Sequence, residues 1–277
     1  MIWFEALRPK TLIISIAPVA IGTVLAPSVN VWIFLLTLLC ALSIQVGTNF
    51  ANDYYDFKSG SDTHERKGPR RLLTTGHIQP GQMKLAMIFS FALAGIGALW
   101  LIAIGGVIIF VLLVLAILSG IFYTAGKYSL KRTGLADFFV FIFFGPIATM
   151  ATYYLQTGAV HANVFWASLA PGLIPVAVLT ANNVRDRLED KKCGKKTLTV
   201  RFGRRFGQIQ YTLCLICGVV SCVLLGLYLP LIAMLACIPL IKTMWTYRSS
   251  KKLIKVLAGT GMVLMLYTGL FCIGAAL

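Results

Sequence analysis

Nine runs of apolar residues alternate with short polar segments along the 277-residue chain. An α-helix needs about 20 apolar residues to cross the hydrocarbon core of a bilayer, and these runs lack the two-residue alternation of a transmembrane β-barrel. The pattern therefore predicts an all-α, polytopic membrane bundle of nine transmembrane helices. The predicted spans are residues 11–26, 31–52, 85–104, 106–125, 135–155, 164–183, 207–229, 231–246 and 256–277. The eighth is short and contains Pro239, and we expect it to form a tight hairpin with the seventh.

Composition supports the membrane class. The chain is 58% hydrophobic and 12% charged, whereas a soluble domain carries about 25% charged residues. Linkers and low-complexity stretches are missing from the sequence, so we expect one transmembrane domain over residues 1–277. The seven cysteines fall mostly inside the apolar runs and suggest small apolar helix residues rather than a metal site or a disulfide framework.

The basic residues indicate the topology. All 25 lysines and arginines precede the first span, end the eighth or lie in alternate loops, whereas the loops near Pro27, Gly105, His161 and Pro230 contain none. Basic loops stay in the cytoplasm, so we expect a cytoplasmic N-terminus and an external C-terminus in the inner, cytoplasmic membrane. The net charge of +16 suits attraction to anionic membrane lipid. Basic residues confined to short juxtamembrane loops disfavour nucleic acid as a partner.

Two polar motifs follow the second and sixth spans. In the first, Asn49, Asn52, Asp53 and Asp56 are spaced i, i+3, i+4 and i+7, so they share one helix face if the helix continues past the span. In the second, Asn182, Asp186 and Asp190 are spaced i, i+4 and i+8. Both motifs contain Asn-x-x-x-Asp, which suggests an internal repeat with the two spans facing each other across a cavity.

The motifs point to magnesium and phosphate chemistry. Carboxylates on one helix face repel each other unless a cation offsets them, and Mg²⁺ typically takes one or two carboxylates together with substrate phosphates. The first loop continues with basic residues, and so does the second, as phosphate binding requires. We assign the metal to Asn52, Asp53, Asp56, Asp62, Asp186 and Asp190. We assign diphosphate binding to Arg66, Arg70, Arg71, Asn182, Arg185 and Lys195.

Other charged residues fit simpler roles. Lys84, Lys131, Lys242 and Lys251 are typical of lysines that extend from a span end to the membrane surface. For Glu65 and Glu189, a surface salt bridge and a functional role are equally consistent with the sequence.

The two motifs resemble those of the UbiA superfamily of membrane prenyltransferases. Asn52 and Asp56 match its first motif and Asp186 and Asp190 its second. The spacing from Asp56 through Gly60 to Asp62 is similar to the branch that prenylates 1,4-dihydroxy-2-naphthoate in menaquinone synthesis. Further stretches agree with that branch: Trp3 to Leu12, Gly68 to Leu72, Tyr123 to Gly126, Gly134 to Pro146, and Asn182 to Leu198. Lys127 departs from it and forms with Tyr123 the Tyr-x-x-x-Lys of other members.

The resemblance implies helices around a central cavity, with an isoprenyl diphosphate and Mg²⁺ at its cytoplasmic mouth. It implies prenylation of the naphthoate with loss of CO₂, giving demethylmenaquinol. The residues expected to act in catalysis are Asp56, Tyr123, Lys127, Asp186 and Asp190, with Tyr123 beside the carbocation and Lys127 beside the carboxylate of an aromatic acid acceptor. One alternative is 4-hydroxybenzoate or another phenolic acceptor. An alternative from a different class is a transporter with intramembrane carboxylates.

Overall fold

The computed structural model describes residues 2–60 and 72–277, except for the side chain of Lys10, and every regular element in these ranges is helical. Twelve α-helices follow one another along the chain. They are α1 (Ile2–Leu7), α2 (Pro9–Val24), α3 (Val31–Lys58), α4 (Pro80–Phe122), α5 (Leu130–Thr133), α6 (Ala136–Ile142), α7 (Ala148–Thr157), α8 (Ala162–Ala167), α9 (Leu169–Lys192), α10 (Leu198–Val220), α11 (Ala233–Thr246) and α12 (Ser250–Ala276).

Seven helical stretches in the described residues are long and apolar enough to cross a membrane. Four of them combine neighbouring elements: α6 with α7, α8 with α9, α10 with the 3₁₀ turn Ser221–Leu225, and the 3₁₀ turn Leu229–Ile232 with α11. The apolar part of α2, Thr11–Val24, is shorter. The prediction of a polytopic all-α membrane protein is confirmed, and the count of nine crossings stays a prediction.

Helix α4 folds back on itself. A straight helix of its 43 residues would be about 65 Å long, roughly twice the hydrocarbon core. Gly106 has φ 65° and ψ −156°, a conformation that essentially only glycine adopts. A Cβ added to Gly120 would lie 3.8 Å from the ring of Phe91, although 29 helical residues span about 44 Å. The two halves of α4 therefore run antiparallel, as the separate spans 85–104 and 106–125 predicted.

Proline and glycine shape the helix pair α6–α7 and α9. Pro146 has no N–H to donate, and the chain widens around it into a π-helical segment, Phe143–Ile147. A Cβ on Gly145 would lie 2.9 Å from Cα of Gly172. These backbones approach so closely because both positions lack a side chain, as is common between membrane helices.

Two packed halves flank a central space. Helices α2, α9, α10, α11 and α12 share one core, which includes Ile21, Ile174, Leu215, Leu264 and Phe271. Helices α3 and α4 share a second core around Phe50, Met83 and Met87. Both motif-bearing helices extend past their apolar runs, α3 to Lys58 and α9 to Lys192. Each extension places residues of its motif on the wall of the space between the two cores.

The turn between α10 and α11 differs from the prediction. The seventh span was expected to reach residue 229, but α10 ends at Val220, and two 3₁₀ turns, Ser221–Leu225 and Leu229–Ile232, lead into α11. Gly226, with φ 71°, reverses the chain between them. The tight connection between these helices is therefore present but begins earlier.

Candidate active site

One cavity of about 1500 Å³ occupies the space between the two cores. Helices α2, α3, α4, α6, α7, α9 and α12 contribute its wall, which is apolar over most of its area. Its polar residues come mainly from the C-terminal ends of α3 and α9 and from the segments around α5 and after α9. They include Asn49, Asn52, Lys131, Asn182, Asn183, Arg185, Asp186, Asp190, Lys195 and Thr197, and Glu5, Arg8 and Asp137 add further charged groups to the wall. An apolar chamber with one charged region suits a ligand that has an apolar body and an anionic head.

The carboxylates of the first motif are buried and held by cations. Asp56 is 2% exposed, and Lys131 Nζ donates to both of its carboxylate oxygens at 2.6 Å. Asp53 accepts from a guanidinium nitrogen of Arg8. Arg8 has a left-handed backbone, with φ 52°, a costly conformation for a residue with a side chain. The junction of α1 and α2 is thus fixed against the motif, with Arg8 in the cavity wall.

The asparagines of the first motif connect α3 to its neighbours. Asn49 Nδ2 donates to the backbone oxygen of Leu7 at 2.9 Å and to Thr11 Oγ1 at 3.1 Å. Asn52 Oδ1 accepts from the Thr124 hydroxyl, just past the end of α4. These bonds position the N-terminal segment and the α4–α5 connection around the cavity.

The second motif forms a compact ionic cluster on α9. Arg185 donates from Nε to Asp186 Oδ1 at 2.7 Å and from a terminal nitrogen to Asp186 Oδ2 at 2.6 Å. The same terminal nitrogen donates to Asn182 Oδ1 at 2.7 Å. Lys195 Nζ donates to Asp190 Oδ1 at 2.6 Å. All five side chains line the cavity, so oxygen donors and cations lie side by side there.

The donor set fits Mg²⁺ bound together with a substrate. Within residues 2–60 and 72–277, no cluster of three or more His, Cys, Asp or Glu residues forms a ready metal cage. Mg²⁺ does not need such a cage, because it binds through one or two carboxylates and takes its other ligands from water and phosphate. Asn52, Asp186 and Asp190 present hard oxygen atoms on the same cavity wall.

Comparison with known proteins identifies the family. The model of the UbiA prenyltransferase family matches residues 15–256. The chain belongs to the UbiA prenyltransferase family. It is therefore a prenyltransferase and a multi-pass membrane protein, as its fold and composition indicate.

Several curated relatives of this UbiA family member are named 1,4-dihydroxy-2-naphthoate octaprenyltransferase. A 1,4-dihydroxy-2-naphthoate octaprenyltransferase of Haemophilus influenzae is 36% identical over 224 residues, which cover 77% of this chain and 73% of the relative. The Escherichia coli protein of that name is 36% identical over 80% of this chain and 75% of its own. The Mycobacterium tuberculosis protein of that name is 32% identical over 96% of this chain and 93% of its own.

Solved structures share the UbiA fold. A UbiA homologue from Archaeoglobus fulgidus bound to GPP and Mg²⁺ superposes with a TM-score of 0.70 at 19% identity, covering 99% of both chains. A UbiA homologue from Aeropyrum pernix K1 in its apo form gives a TM-score of 0.74 at 13% identity, covering 95% of this chain and 98% of the other.

The structure brings most of the predicted site residues of this UbiA family member together. Tyr123 lines the cavity along with Asn52 and the second-motif residues, whereas Asp56 lies against Lys131 and Asp53 against Arg8. Four predicted site residues lie outside the described residues: Asp62, Arg66, Arg70 and Arg71.

Lys127 is not brought into the cavity. Its side chain is exposed, and its Nζ lies 6.0 Å from the ring centroid of Tyr128. Lys131, four residues later, lines the cavity and binds Asp56. The interpretation of Lys131 as a membrane-surface lysine is therefore wrong. The two lysines are four residues apart in a connection that is not helical before Leu130, and the sequence does not reveal which of them faces the cavity.

Two charged cavity side chains outside the motifs were not predicted from the sequence. Arg8 and Asp137 stood in stretches that resemble the family, yet neither was assigned to the site. Arg8 pairs with Asp53 and Asp137 lines the cavity, where its carboxylate accepts from Gln210 at 2.8 Å. In the sequence, both residues are marked only as charged residues next to an apolar span. That feature alone does not distinguish a cavity residue from a surface residue.

Proposed function

We propose that this UbiA family member transfers a polyprenyl group from an isoprenyl diphosphate to 1,4-dihydroxy-2-naphthoate with loss of CO₂. The product would be demethylmenaquinol, an intermediate of menaquinone biosynthesis. One observation carries this proposal: residues of both Asn-x-x-x-Asp motifs, together with the basic partners of their acids, line one cavity that is mostly apolar. The name shared by relatives at 32–36% identity supports the naphthoate as acceptor.

Binding of the diphosphate head is the first part of the proposal. Lys131, Arg185 and Lys195 stand in the cavity wall and hold carboxylates that Mg²⁺ could take over. An Mg²⁺–diphosphate complex supplies a cation for the carboxylates and an anion for the basic side chains, so each buried charge keeps a partner. Arg66, Arg70 and Arg71 remain proposed phosphate ligands.

The metal site is the second part. Asn52, Asp53, Asp56, Asp62, Asp186 and Asp190 remain the proposed ligand set, with Asn52, Asp186 and Asp190 on the cavity wall. When bound, Mg²⁺ neutralises the charge that develops on the departing diphosphate. Solved UbiA homologues bound to Mg²⁺ with GPP or with DMAPP support this choice of metal.

The apolar wall would protect the reaction. Ionisation of an allylic diphosphate leaves a carbocation, which water would capture. Apolar side chains such as Ile14, Leu112 and Phe144 line the chamber and would disfavour water beside the carbocation. Tyr123 presents an aromatic group to the same space, where a π face stabilises positive charge. The electron-rich naphthoate ring then attacks as the carbon nucleophile.

The proposal extends to the whole chain. We place residues 1–277 in one prenyltransferase domain of the cytoplasmic membrane, with the charged end of the cavity and the N-terminus in the cytoplasm and the C-terminus outside. The asymmetric distribution of basic residues supports this orientation. Membrane lipid would surround the apolar face of the bundle and take up the polyprenyl tail.

A competition assay tests the proposed function. Purified protein receives an isoprenyl diphosphate, Mg²⁺, and 1,4-dihydroxy-2-naphthoate together with 4-hydroxybenzoate, and products are analysed by mass spectrometry. We expect a prenylated, decarboxylated naphthol that disappears when Mg²⁺ is chelated. Prenylated 4-hydroxybenzoate that keeps its carboxylate, without a naphthol product, would overturn the choice of acceptor.

A further inference from the structure

Asp137 differs from the other buried carboxylates. Within the described residues, the buried acids Asp53, Asp56, Asp186 and Asp190 each form an ion pair with arginine or lysine. Asp137, in the first turn of α6, is 7% exposed, lines the cavity and has a glutamine as its partner. Burial of a carboxylate without a neighbouring cation costs free energy of folding. Its presence in the cavity wall therefore suggests a functional role.

Asp137 and Gln210 share one hydrogen bond. Gln210 Nε2 donates to Asp137 Oδ1 at 2.8 Å. Asp137 Oδ2 and Gln210 Oε1 are both buried without a hydrogen-bond partner. Gln210 thus holds one carboxylate oxygen of Asp137 and leaves the other without a donor.

The wall around Asp137 suits an aromatic ring. Phe139, Phe143 and Phe144 follow it along the same helical segment and line the cavity. The rings of Phe139 and Phe143 stack with centroids 6.1 Å apart. A carboxylate without a cation repels a diphosphate but accepts a hydrogen bond from a hydroxyl group. This part of the wall therefore fits the acceptor rather than the phosphates.

We propose that Asp137 is a catalytic residue that takes the proton of the acceptor hydroxyl group next to the reacting ring carbon. Gln210 is its positioning residue, because its amide Nε2 donates to Oδ1 and fixes the orientation of the carboxylate. This inference rests on the proposed function, since it concerns the aromatic acceptor of that reaction.

The step balances without another reactant. The carbon–oxygen bond of the isoprenyl diphosphate breaks, and diphosphate leaves with the electron pair. The ring carbon that carries the carboxylate forms the new carbon–carbon bond, while the neighbouring hydroxyl loses its proton to Asp137 and becomes a ketone. The resulting β-keto acid loses CO₂, and the electron pair returns to the ring oxygen. That oxygen recovers the proton from Asp137, which ends as it began.

Asp137→Asn is the first test. The amide oxygen of asparagine can still accept from Gln210 Nε2, so the link between the two helices is kept, but asparagine cannot act as a base. General base catalysis contributes about 10²- to 10⁴-fold, and we expect product formation to fall by that factor. Mg²⁺-dependent binding of the isoprenyl diphosphate should be unchanged. Wild-type product formation with an equally active Asp137→Asn variant would overturn the inference. If the wild type forms no naphthol product, the proposed function itself fails.

A double exchange separates catalysis from structure. Asp137→Asn combined with Gln210→Glu restores an acid and an amide between α6 and α10, but moves the acid to α10, which does not contribute to the cavity wall. We expect the double variant to stay as inactive as Asp137→Asn while matching wild type in thermal unfolding. Recovery of activity would show that the pair is only structural and would contradict the inference.

Discussion

Each acid of the two motifs forms an ion pair with a basic side chain. A ligand that enters the site must therefore offer a partner to both charges of such a pair. Lys131 lies 2.6 Å from Asp56 and Lys195 lies 2.6 Å from Asp190, with all four side chains largely shielded from solvent. Removal of one partner from a buried pair leaves an uncompensated charge, which costs far more than the pair itself contributes. A metal–diphosphate complex avoids this cost because it supplies both charges together.

Asp56→Asn and Asp186→Asn test the metal ligands. Each substitution keeps the side-chain volume but removes one negative charge from the proposed Mg²⁺ site. Loss of a single electrostatic contact in an active site lowers kcat by about 10²- to 10³-fold, and we expect at least that loss of prenyl transfer. Turnover is measured at saturating substrate, and gel filtration in detergent checks that the variants remain folded.

Glu189→Gln is the matched control for these variants. It removes a carboxylate from the same helix, between Asp186 and Asp190, yet Glu189 does not line the cavity. We expect near-wild-type turnover. Normal activity of Asp56→Asn or Asp186→Asn at ordinary Mg²⁺ concentration would contradict the two-motif site.

Lys131 and Lys127 provide a second test at single residues. Lys131→Ala removes a cation from the cavity wall, and a hydrogen bond to a charged group is worth about 1.5–3 kcal/mol. We therefore expect kcat/KM for the isoprenyl diphosphate to fall about 10- to 100-fold. Lys127→Ala removes the same charge from an exposed position of the same connection, and its effect should be small. Steady-state kinetics of both variants shows which lysine acts in the site. A larger loss of kcat/KM for Lys127→Ala than for Lys131→Ala would favour the assignment made from sequence.

The sequence predicted the motif acids because spacing alone places them on one helix face. Asp186 and Asp190 recur at i and i+4 whatever the tertiary packing, and both line the cavity. The partners Arg8 and Lys131 come from segments 45 and 75 residues away from the acids they bind. Such long-range pairs depend on how the helices pack, and a single sequence carries no direct record of that packing.

At the scale of elements, apolar runs and glycine predicted the helices better than the connections. The turn at Gly106 was placed correctly because a 40-residue apolar stretch is too long for one crossing. The docking of the α5–α6 turn on the α9–α10 connection was not anticipated. There Lys196 N donates to the Arg132 oxygen at 2.8 Å, and Arg201 donates to the Thr133 oxygen at 2.8 Å. This docking connects the backbone near Lys131 to the backbone near Lys195.

Gly134→Ala tests that docking, with Gly158→Ala as its control. Both glycines follow a helix in the left-handed region, with φ 84° and 72°, where a side chain costs about 1–2 kcal/mol. Only at Gly134 would the new Cβ overlap another segment, 2.6 Å from the Lys196 oxygen. We expect Gly134→Ala to unfold at a lower temperature than Gly158→Ala and to lose activity. Equal thermal midpoints and activities of the two variants would show that the close contact between Gly134 and Lys196 affects neither stability nor activity.

At the scale of the molecule, the path of α4 decides the topology. Between Ser59 and Ala159 the chain contains α4 and the α6–α7 span. If both halves of α4 cross the membrane, three crossings separate these residues and they lie on opposite sides. If α4 crossed once, two crossings would return Ala159 to the side of Ser59. The number of crossings in α4 also determines whether the C-terminal ends of α3 and α9, which border the charged end of the cavity, lie on the same side of the membrane.

Cysteine accessibility tests this path directly. Ser59→Cys, Ala159→Cys and Lys192→Cys each place one thiol at an exposed position in a background without the seven native cysteines. A membrane-impermeant maleimide should label Ala159→Cys in intact cells and label the other two only after permeabilisation, because basic loops remain in the cytoplasm. Lys192 lies one crossing beyond Ala159 and checks the labelling independently of α4. Labelling of Ala159→Cys only after permeabilisation, together with Ser59→Cys, would show that α4 does not form a membrane hairpin and would remove the structural basis for nine crossings.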